Sequence, residues 1–268
     1  MGTPNEVSRF GADLQPREPA LPRWTEEKVM DIHHWTDRIF SFKASRPADF
    51  RFSAGHYARV GLPDANGDLV WRPLSMVSSP QEAFLEFVAI MVPDGNFSRC
   101  LGGLSVDAPV AIDKSCFGFL TLDQLAAGDD LWLLASGTGI GPFVAMLRDS
   151  QVWQRFRRIV VVHSVRRAVE LVYREFLAGL AKDRGPGFSY LPVVTRDGGG
   201  AFAERIPALL ADGRLEAAAG VPLRADTARA MVCGNPAMTR DLRELLSTRG
   251  FAAGRRGVAG QMAFEKYW

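Results

Sequence analysis

A glycine-rich segment near the middle of the chain has the composition of a nucleotide-binding loop. Residues 136–142 read SGTGIGP and directly follow a continuous apolar run at 131–135. The glycines let the backbone turn sharply and approach a ligand closely, and a helix that begins here offers free N–H groups to a pyrophosphate. A loop that serves only as a turn is the alternative, and the spacing differs from the common G-x-G-x-x-G fingerprint. The segment predicts a nucleotide site but names no family.

A second candidate segment ends the last apolar run of the chain. Residues 233–236 read CGNP, and open α/β sheets bind ligands at the carboxyl ends of their strands. Gly234 leaves room beside the thiol of Cys233. A lone cysteine at a strand end is more often a small core residue, so both interpretations stay open.

The first half of the chain carries a third candidate, and the chain end a fourth. Residues 72–75 read RPLS; an arginine can pair with diphosphate oxygens and a serine hydroxyl can reach a polar ring atom. Most surface arginines only face solvent, so this motif is weak by itself.

The chain ends FEKYW at 264–268, and a planar cofactor would give the two terminal aromatic rings a stacking partner.

Basic residues follow the second and third apolar runs of the latter half. Residues 164–167 read SVRR, where a site that prefers NAD offers an acidic residue to the ribose. Arg196 and Arg205 come after the next run, and guanidinium groups suit a 2′-phosphate. Tyr173 could stack on the adenine. A chain with 32 basic residues places some near any loop, but the pattern favours NADP over NAD.

Two kinds of hydrophobic pattern position these motifs. In the first part, short apolar or alternating runs separated by turn residues predict an antiparallel all-β barrel or sandwich. In the second part, continuous apolar runs alternate with helical stretches, which indicates a doubly wound parallel sheet. The first set of strands is predicted at 39–44, 57–62, 69–76, 84–92 and 106–112. The second set is predicted at 131–135, 159–162, 190–194 and 231–233, with helices at 143–149, 168–182, 206–210 and 237–248.

The length and composition bound the organisation. A chain of 268 residues with 47% hydrophobic residues suits two globular domains. Residues 1–22 have four prolines and little periodicity, so we expect an extended arm rather than a domain. The predicted division is an arm at 1–22, a β-barrel domain at 23–126 and an α/β domain at 127–268.

Several classes of protein are disfavoured. The three cysteines form no CxxC pair, which argues against a disulfide framework, a zinc site or an iron–sulfur cluster, and we expect no metal. A net charge of +2 does not indicate a nucleic-acid partner. Neither a membrane span nor a secretory signal is evident, so we expect a cytoplasmic protein with no membrane insertion. The histidines, at 33, 34, 56 and 163, lack ligand spacing and are expected to be structural.

Taken together, these motifs resemble the ferredoxin–NADP reductase superfamily, and most closely its compact bacterial ferredoxin (flavodoxin)–NADP reductases. The resemblance covers about residues 25–268 and includes, in order, RPLS at 72–75, VPDG at 92–95 with Ser98, GTGIGP at 137–142, CGNP at 233–236 and the EKYW end. It implies an FAD-binding antiparallel β-barrel followed by an NADP-binding α/β domain, which agrees with the hydrophobic patterns.

The resemblance also implies roles for individual residues. Arg72 would hold the FAD pyrophosphate, Ser75 would lie near flavin N5, Tyr267 would cover the flavin ring and Trp268 would stack on the FAD adenine. The implied catalytic residues are Ser75, Cys233, Glu265 and Tyr267. The implied FAD-binding residues are Arg72, Pro73, Leu74, Ser75, Ala89, Ile90, Met91, Gly95, Asn96, Phe97, Ser98, Thr138, Tyr267 and Trp268. The implied NADP-binding residues are Gly137, Thr138, Gly139, Arg166, Arg167, Tyr173, Arg196, Arg205, Cys233, Gly234, Asn235 and Pro236.

One position departs from the family pattern, because the family commonly has tyrosine where this chain has Leu74. An aromatic stack on the flavin, worth about 0.5 to 1.5 kcal/mol beyond area burial, is therefore missing there. A change in flavin affinity or potential is expected, with its direction left open.

The implied activity is electron transfer between NADP(H) and ferredoxin or flavodoxin through FAD, by a monomer. Hydride transfer needs close positioning of nicotinamide and flavin, so the protein's main work is positioning. Two alternatives stay open: a reductase that serves an oxygenase or another acceptor, and a non-catalytic flavin or NADP sensor that shares the fold.

Overall fold

The computed structural model describes residues 23–255 and 257–266, and its first half is a six-stranded antiparallel sheet. The predicted arm at 1–22 lies outside the described residues. The strands run in the order β4-β3-β6-β1-β2-β5. They are β1 (Trp24–His34), β2 (Ile39–Ser45), β3 (Tyr57–Pro63), β4 (Leu69–Ser75), β5 (Phe84–Ile90) and β6 (Pro109–Phe117).

This sheet curls into a barrel around its own core. Just beyond the end of β4, Met76 bridges to Phe87 of β5, and the Val77 N–H donates to the Glu86 carbonyl at 2.8 Å, so the two outer strands meet. Buried rings such as Phe42 and Phe87 fill the interior. The helix α1 (Asn96–Gly102) follows β5 and packs Phe97 and Leu101 into the same core. The predicted β-barrel is confirmed.

The second half is a five-stranded, fully parallel sheet in the order β11-β10-β7-β8-β9. Its strands are β7 (Asp130–Ser136), β8 (Arg158–Val165), β9 (Phe188–Val194), β10 (Ala228–Gly234) and β11 (Met262–Lys266). The helices are α2 (Gly141–Arg148), α3 (Ser150–Arg155), α4 (Arg174–Arg184), α5 (Ile206–Ala211), α6 (Arg214–Ala219) and α7 (Pro236–Thr248). The predicted doubly wound α/β domain is confirmed.

The continuous apolar runs of the central strands are explained by two cores, one on each face. Leu131 and Leu133 of β7 belong to the core that α2, α3 and α4 cover, together with barrel residues such as Val88. Trp132 and Leu134 belong to the opposite core, which α5 and α7 cover. Because successive side chains of a strand point to opposite faces, a strand covered on both faces needs apolar residues throughout.

Some predicted boundaries were wrong, because local pattern does not show where a tertiary contact ends an element. The helix predicted at 168–182 begins only at Arg174, since Tyr173 has a left-handed φ of 58° that interrupts the helix. The strand predicted at 106–112 lies at Pro109–Phe117. The second parallel strand extends past His163 to Val165. Two strands were missed entirely, β1 near the start of the described residues and β11 near their end.

Two arginines hold the connection between the halves. The guanidinium of Arg155 donates to the carbonyls of Leu122, Leu125 and Ala126. That of Arg229, which is 5% exposed, donates to the carbonyl of Ala126 at 3.2 Å and to that of Ala127. These bonds satisfy carbonyls that no strand partner would reach. The boundary between 126 and 127 stays a prediction, and it lies within this connection.

A buried ion pair joins the barrel to the α/β domain. Glu86 of β5, 5% exposed, accepts an ion-paired hydrogen bond from Arg148 at the end of α2 at 2.5 Å. The hydroxyl of Tyr173, in the loop before α4, donates to the other carboxylate oxygen at 2.8 Å. The ring of Tyr173 also lies 4.8 Å from that of Trp35 in the barrel. The charge on Glu86 is thus compensated from the opposite domain.

Candidate functional site

The site is built where the end of β4 meets the last described strand, β11. The hydroxyl of Ser75, only 3% exposed, donates to Glu265 Oε1 at 3.1 Å. These residues are 190 positions apart in sequence, and the fold brings together two of the four predicted catalytic residues. A third, Cys233, is the register partner of Glu265 in the neighbouring strand β10. The fourth, Tyr267, lies outside the described residues.

Glu265 is a carboxyl group in an apolar environment. Burial disfavours its charged form and raises its pKa to about 7, while the hydrogen bond from Ser75 acts in the opposite direction. In the part of the chain that the structure describes, Ser75 is its hydrogen-bond partner and no cation pairs with it. The group can therefore gain or lose a proton near neutral pH.

Two residues beside this pair were missed by the sequence analysis. Tyr57 opens β3 and is the register partner of Ser75. Gly118, with a φ of 108°, is so close that a Cβ there would lie 3.2 Å from both Glu265 Oε2 and the Tyr57 ring. A side chain at this position would crowd the carboxyl group. Nothing local in the sequence marks either residue, because both reach the site through strand pairing.

The predicted nucleotide loop follows β7 as expected. Residues 137–140 form a single 3-10 turn that continues into α2, with Pro142 in the first turn of the helix. Gly139 packs against β10, where a Cβ would lie 2.5 Å from the Cys233 carbonyl oxygen. A Cβ on Gly141 would lie 3.1 Å from Val88 of the barrel. The loop therefore lies at the junction of the two domains, and it leaves no room for a side chain at Gly139 and little at Gly141.

The CGNP segment lies against this loop. Cys233 is fully buried, and burial raises the pKa of its thiol, with the nearby Glu265 raising it further. Asn235 caps α7, since its side chain accepts from the Met238 N–H at 2.9 Å, and its own N–H donates to Ser136 Oγ at 3.0 Å. Pro236 is the first residue of α7. A neutral, enclosed thiol is a packing group rather than a nucleophile.

The predicted phosphate-binding arginines lie in the segments that follow β8 and β9, on the β9 side of the parallel sheet. Arg166 and Arg167 follow β8, Arg196 follows β9, and Arg205 directly precedes α5. The Arg196 N–H donates to the Arg166 carbonyl at 2.9 Å, which joins the first two loops. All four side chains are exposed, and among the described residues none of them forms an ion pair. Their guanidinium groups are open to solvent.

The predicted adenine stack on Tyr173 is not supported by its position. The residue is 5% exposed, its ring packs against Trp35, and its hydroxyl is bound to Glu86. The ring offers no open face to an adenine. The sequence could not show this, because the contact is made with the other domain.

The predicted FAD-side residues lie along one end of the barrel. Arg72 is exposed on β4, and its guanidinium donates to the Trp71 carbonyl at 2.8 Å. Ser98 lies in α1, where its hydroxyl accepts from the Val92 N–H at 2.9 Å and so closes the turn before the helix. The remaining residues lie within β4, at or just after the end of β5, and at the start of α1: Pro73, Leu74, Ala89, Ile90, Met91, Gly95, Asn96 and Phe97. Trp268 lies outside the described residues.

Leu74 is the position at which the sequence was expected to depart from the family pattern. Its side chain is 8% exposed and packs within the barrel core. An apolar side chain here joins the core without needing a polar partner.

These groups fit a flavin and a nicotinamide dinucleotide. Arg72 has guanidinium N–H groups to spare for a diphosphate, and the exposed arginines after β8 and β9 suit a further phosphate. The glycines at 118, 139 and 141 remove side chains from the junction between the domains. Ser75 and Glu265 supply a hydroxyl and a proton-exchanging carboxyl at the same place.

Comparison with known proteins agrees with this description. The model of an oxidoreductase FAD-binding domain matches residues 28–118, and that of an oxidoreductase NAD-binding domain matches residues 133–244. Ferredoxin–NADP reductase A of Sorangium cellulosum is 39% identical over 92% of this chain and 91% of that protein. Flavodoxin/ferredoxin–NADP reductase of Escherichia coli is 36% identical over 91% of this chain and 99% of that protein.

A solved structure extends the comparison to three dimensions. The ferredoxin NADP+ reductase of Neisseria gonorrhoeae, with bound FAD and NADP, superposes with a TM-score of 0.86 at 34% identity and covers 91% of this chain and 99% of its own. The fold and the site therefore define an oxidoreductase that pairs a flavin domain with a nicotinamide-dinucleotide domain. The chain belongs to the ferredoxin–NADP reductase family.

Proposed function

We propose that this protein transfers electrons between NADP(H) and ferredoxin or flavodoxin through bound FAD. The observation that carries the proposal is the meeting of Ser75, Glu265 and Cys233 with the glycine loop at the junction of the two domains. A reaction between a flavin and a nicotinamide needs both held in contact, and a junction between their two domains is where that can occur.

The residues at the junction would position the reactants and handle a proton. FAD, when bound, accepts two electrons as a hydride and releases them singly, which suits a one-electron carrier protein. Ser75 would place its hydroxyl within hydrogen-bonding reach of flavin N5. Glu265, with its pKa raised to about 7 by burial, would hold or release a proton beside it. Cys233 would pack beside the nicotinamide as a neutral thiol, since burial raises its pKa.

The phosphate groups of the two nucleotides would be held at separate places. Arg72 and the turn at 95–98 would bind the FAD diphosphate, and residues 89–91 would border the flavin. Gly137, Thr138 and Gly139 would approach the NADP nicotinamide end. Arg166, Arg167, Arg196 and Arg205 would surround the 2′-phosphate, because exposed guanidinium groups without ion pairs can bind it bidentately.

The proposal includes a monomer that acts in the cytoplasm on a ferredoxin or flavodoxin. The names of two relatives include ferredoxin or flavodoxin, which supports this choice of partner. None of the described helices is long and apolar enough to cross a membrane. The stacking roles of Tyr267 and Trp268 stay predictions.

The proposal is tested first by spectroscopy and turnover. The purified protein should show a flavin absorption spectrum, lose it on anaerobic titration with NADPH, and reduce ferricyanide in the steady state. Colourless protein that does not take up FAD would contradict the proposal. Flavin reduction without turnover would instead favour a sensor.

The choice of NADP is tested by Arg205→Ala. We expect kcat/KM with NADPH to fall by a factor that corresponds to about 1.5 to 3 kcal/mol of activation free energy, the contribution of a charged hydrogen bond. The value of kcat/KM with NADH should stay unchanged. Arg224→Ala is the matched control, because Arg224 is an exposed arginine that precedes β10, at the amino end of the parallel strands, whereas the other arginines follow the carboxyl ends of β8 and β9. An equal loss with both nucleotides would contradict the assignment.

A further inference from the structure

His163 is a buried imidazole that the site described above does not use. It lies in β8, the strand next to the edge strand β9, between Ala135 of β7 and Pro192 of β9, and it is 0% exposed. Its Nε2 lies 3.0 Å from the carbonyl oxygen of Gly137. A carbonyl oxygen only accepts, so Nε2 must carry the proton in this contact.

The other ring nitrogen shows that this histidine is not a simple packing residue. Nδ1 is buried and has no hydrogen-bond partner among the described residues. Burial also lowers the pKa of His163 to about 4, so the ring is neutral at physiological pH and Nδ1 is an unsatisfied acceptor. Leaving a buried acceptor unpaired is destabilising. An apolar side chain would fill the same space without that cost.

The partner of His163 is the first residue of the nucleotide loop. Gly137 has a φ of 57°, and a Cβ on it would meet nothing within 4 Å, so glycine is used here for its backbone conformation and not for lack of space. The carbonyl and the following N–H of a trans peptide point in opposite directions. The bond from His163 draws the Gly137 carbonyl toward the sheet, and it thereby turns the Thr138 N–H away from the sheet.

The loop is fixed on its other side by separate contacts. Ser136 Oγ accepts from the Asn235 N–H at 3.0 Å, and Gly139 lies against the Cys233 carbonyl of β10. Those contacts hold the ends of the turn. Among the described residues, His163 is the side chain that hydrogen-bonds the Gly137 carbonyl between them.

We propose that His163 is a positioning residue, which orients the Gly137–Thr138 peptide so that the Thr138 N–H faces the bound nicotinamide dinucleotide. This inference rests on the proposed function, because it assumes that the loop binds NADP(H). The loop would then be preorganised, and binding would not have to restrict its conformation.

The test compares two amide variants with different reach. In His163→Gln the amide nitrogen can reach about the place of Nε2, whereas in His163→Asn it stops near the place of Nδ1. His163→Met fills the space with no donor. The Kd of NADP+ is measured by titration calorimetry, the KM and kcat of NADPH are measured with ferricyanide, and the FAD absorption and Tm report on folding.

We expect about a tenfold weaker Kd of NADP+ and higher KM of NADPH in His163→Met and His163→Asn. We expect kcat to change little, because binding of ground state and transition state suffers equally. His163→Gln should recover to within about threefold of the wild type. If His163→Met does not fold, the difference between Gln and Asn alone decides the matter.

Equal Kd values for NADP+ in wild type, Asn and Met variants would overturn the role of His163. So would equal losses in Gln and Asn accompanied by a lower Tm, because that result indicates packing. Failure of the wild-type protein to bind NADP+ would overturn the proposed function itself, and the positioning role with it.

Discussion

Two carboxyl groups, the buried Glu86 and the partly buried Glu265, each contact a residue of the other domain, and their surroundings differ. Glu86 belongs to the barrel and is met by Arg148 at 2.5 Å and by the Tyr173 hydroxyl at 2.8 Å. Glu265 belongs to the α/β domain and is met by the Ser75 hydroxyl at 3.1 Å, with no cation among the described residues. One carboxylate is compensated and the other is not.

The two carboxyl groups therefore have different roles: Glu86 makes a contact that stabilises the fold, and Glu265 is a group that can exchange a proton. A buried charge that is ion-paired and hydrogen-bonded across the two domains is compensated, and removing its partner leaves it buried and unpaired. A carboxyl group that is buried without a cation has a raised pKa, here about 7, and can exchange its proton under physiological conditions. The protein therefore has a fixed contact at Glu86 and a titratable one at Glu265.

The largest expected effect comes from Arg148→Ala. This substitution leaves Glu86 buried and without its cation, and we expect the free energy of unfolding to fall by about 3 to 5 kcal/mol. Chemical denaturation at pH 7 measures it. Arg224→Ala, which breaks an exposed pair with Asp226, is the matched control and should change stability little. If both variants behave alike, Glu86 is not a compensated buried charge.

The next effect concerns the pH dependence of stability at Glu265. Its pKa is raised to about 7 in the folded protein from an ordinary value of 4.5, so the folded state binds the proton more tightly. The stability from this group is complete below about pH 4.5 and is lost as the pH rises through about 7, by about 3 kcal/mol in all. Glu265→Gln should remove this loss.

The measurement is the free energy of unfolding at pH 5 and pH 8 for wild type and Glu265→Gln. The wild type should lose more stability than the variant between the two values. Identical losses would show that Glu265 does not titrate differently in the folded and unfolded states.

A smaller effect is expected from Tyr173→Phe, which removes one hydrogen bond to Glu86 and keeps the ring. We expect about 1.5 to 3 kcal/mol of destabilisation, the usual range for a hydrogen bond to a charged group. Tyr190→Phe is a close control, because the Tyr190 hydroxyl is buried without a hydrogen-bond partner in the described part of the chain. That variant should be neutral or more stable, and a matching loss would argue against the Glu86 contact.

Much of the fold could be predicted because the two halves use different hydrophobic patterns. Short runs separated by turn residues, such as β2 and β3, indicated an antiparallel sheet, and continuous apolar runs such as β7 and β8 indicated strands covered on both faces. The strand β11 could not be recognised, because its five residues include Glu265 and Lys266 and it is ordered by pairing with β10.

The candidate site was predictable where its residues follow one another in sequence. The glycine loop and the CGNP segment were found from local composition, and they do lie against each other. Tyr173 was misjudged because its partner Glu86 is 87 positions away. His163 was set aside because its role depends on the carbonyl of Gly137, which carries no mark in the sequence.

The sequence by itself determined the elements and the chemistry they carry: two patterns of strands, a glycine loop after one strand and arginines after two others. Such features are local, because a helix, a strand or a turn depends on neighbouring side chains. Only the tertiary structure decided which of these groups have partners. It gave Glu86 an ion pair, left Glu265 without a cation among the described residues, and placed His163 beside the carbonyl of Gly137. Charge and hydrogen bonding act through space, over a few ångströms, between residues that the chain keeps far apart.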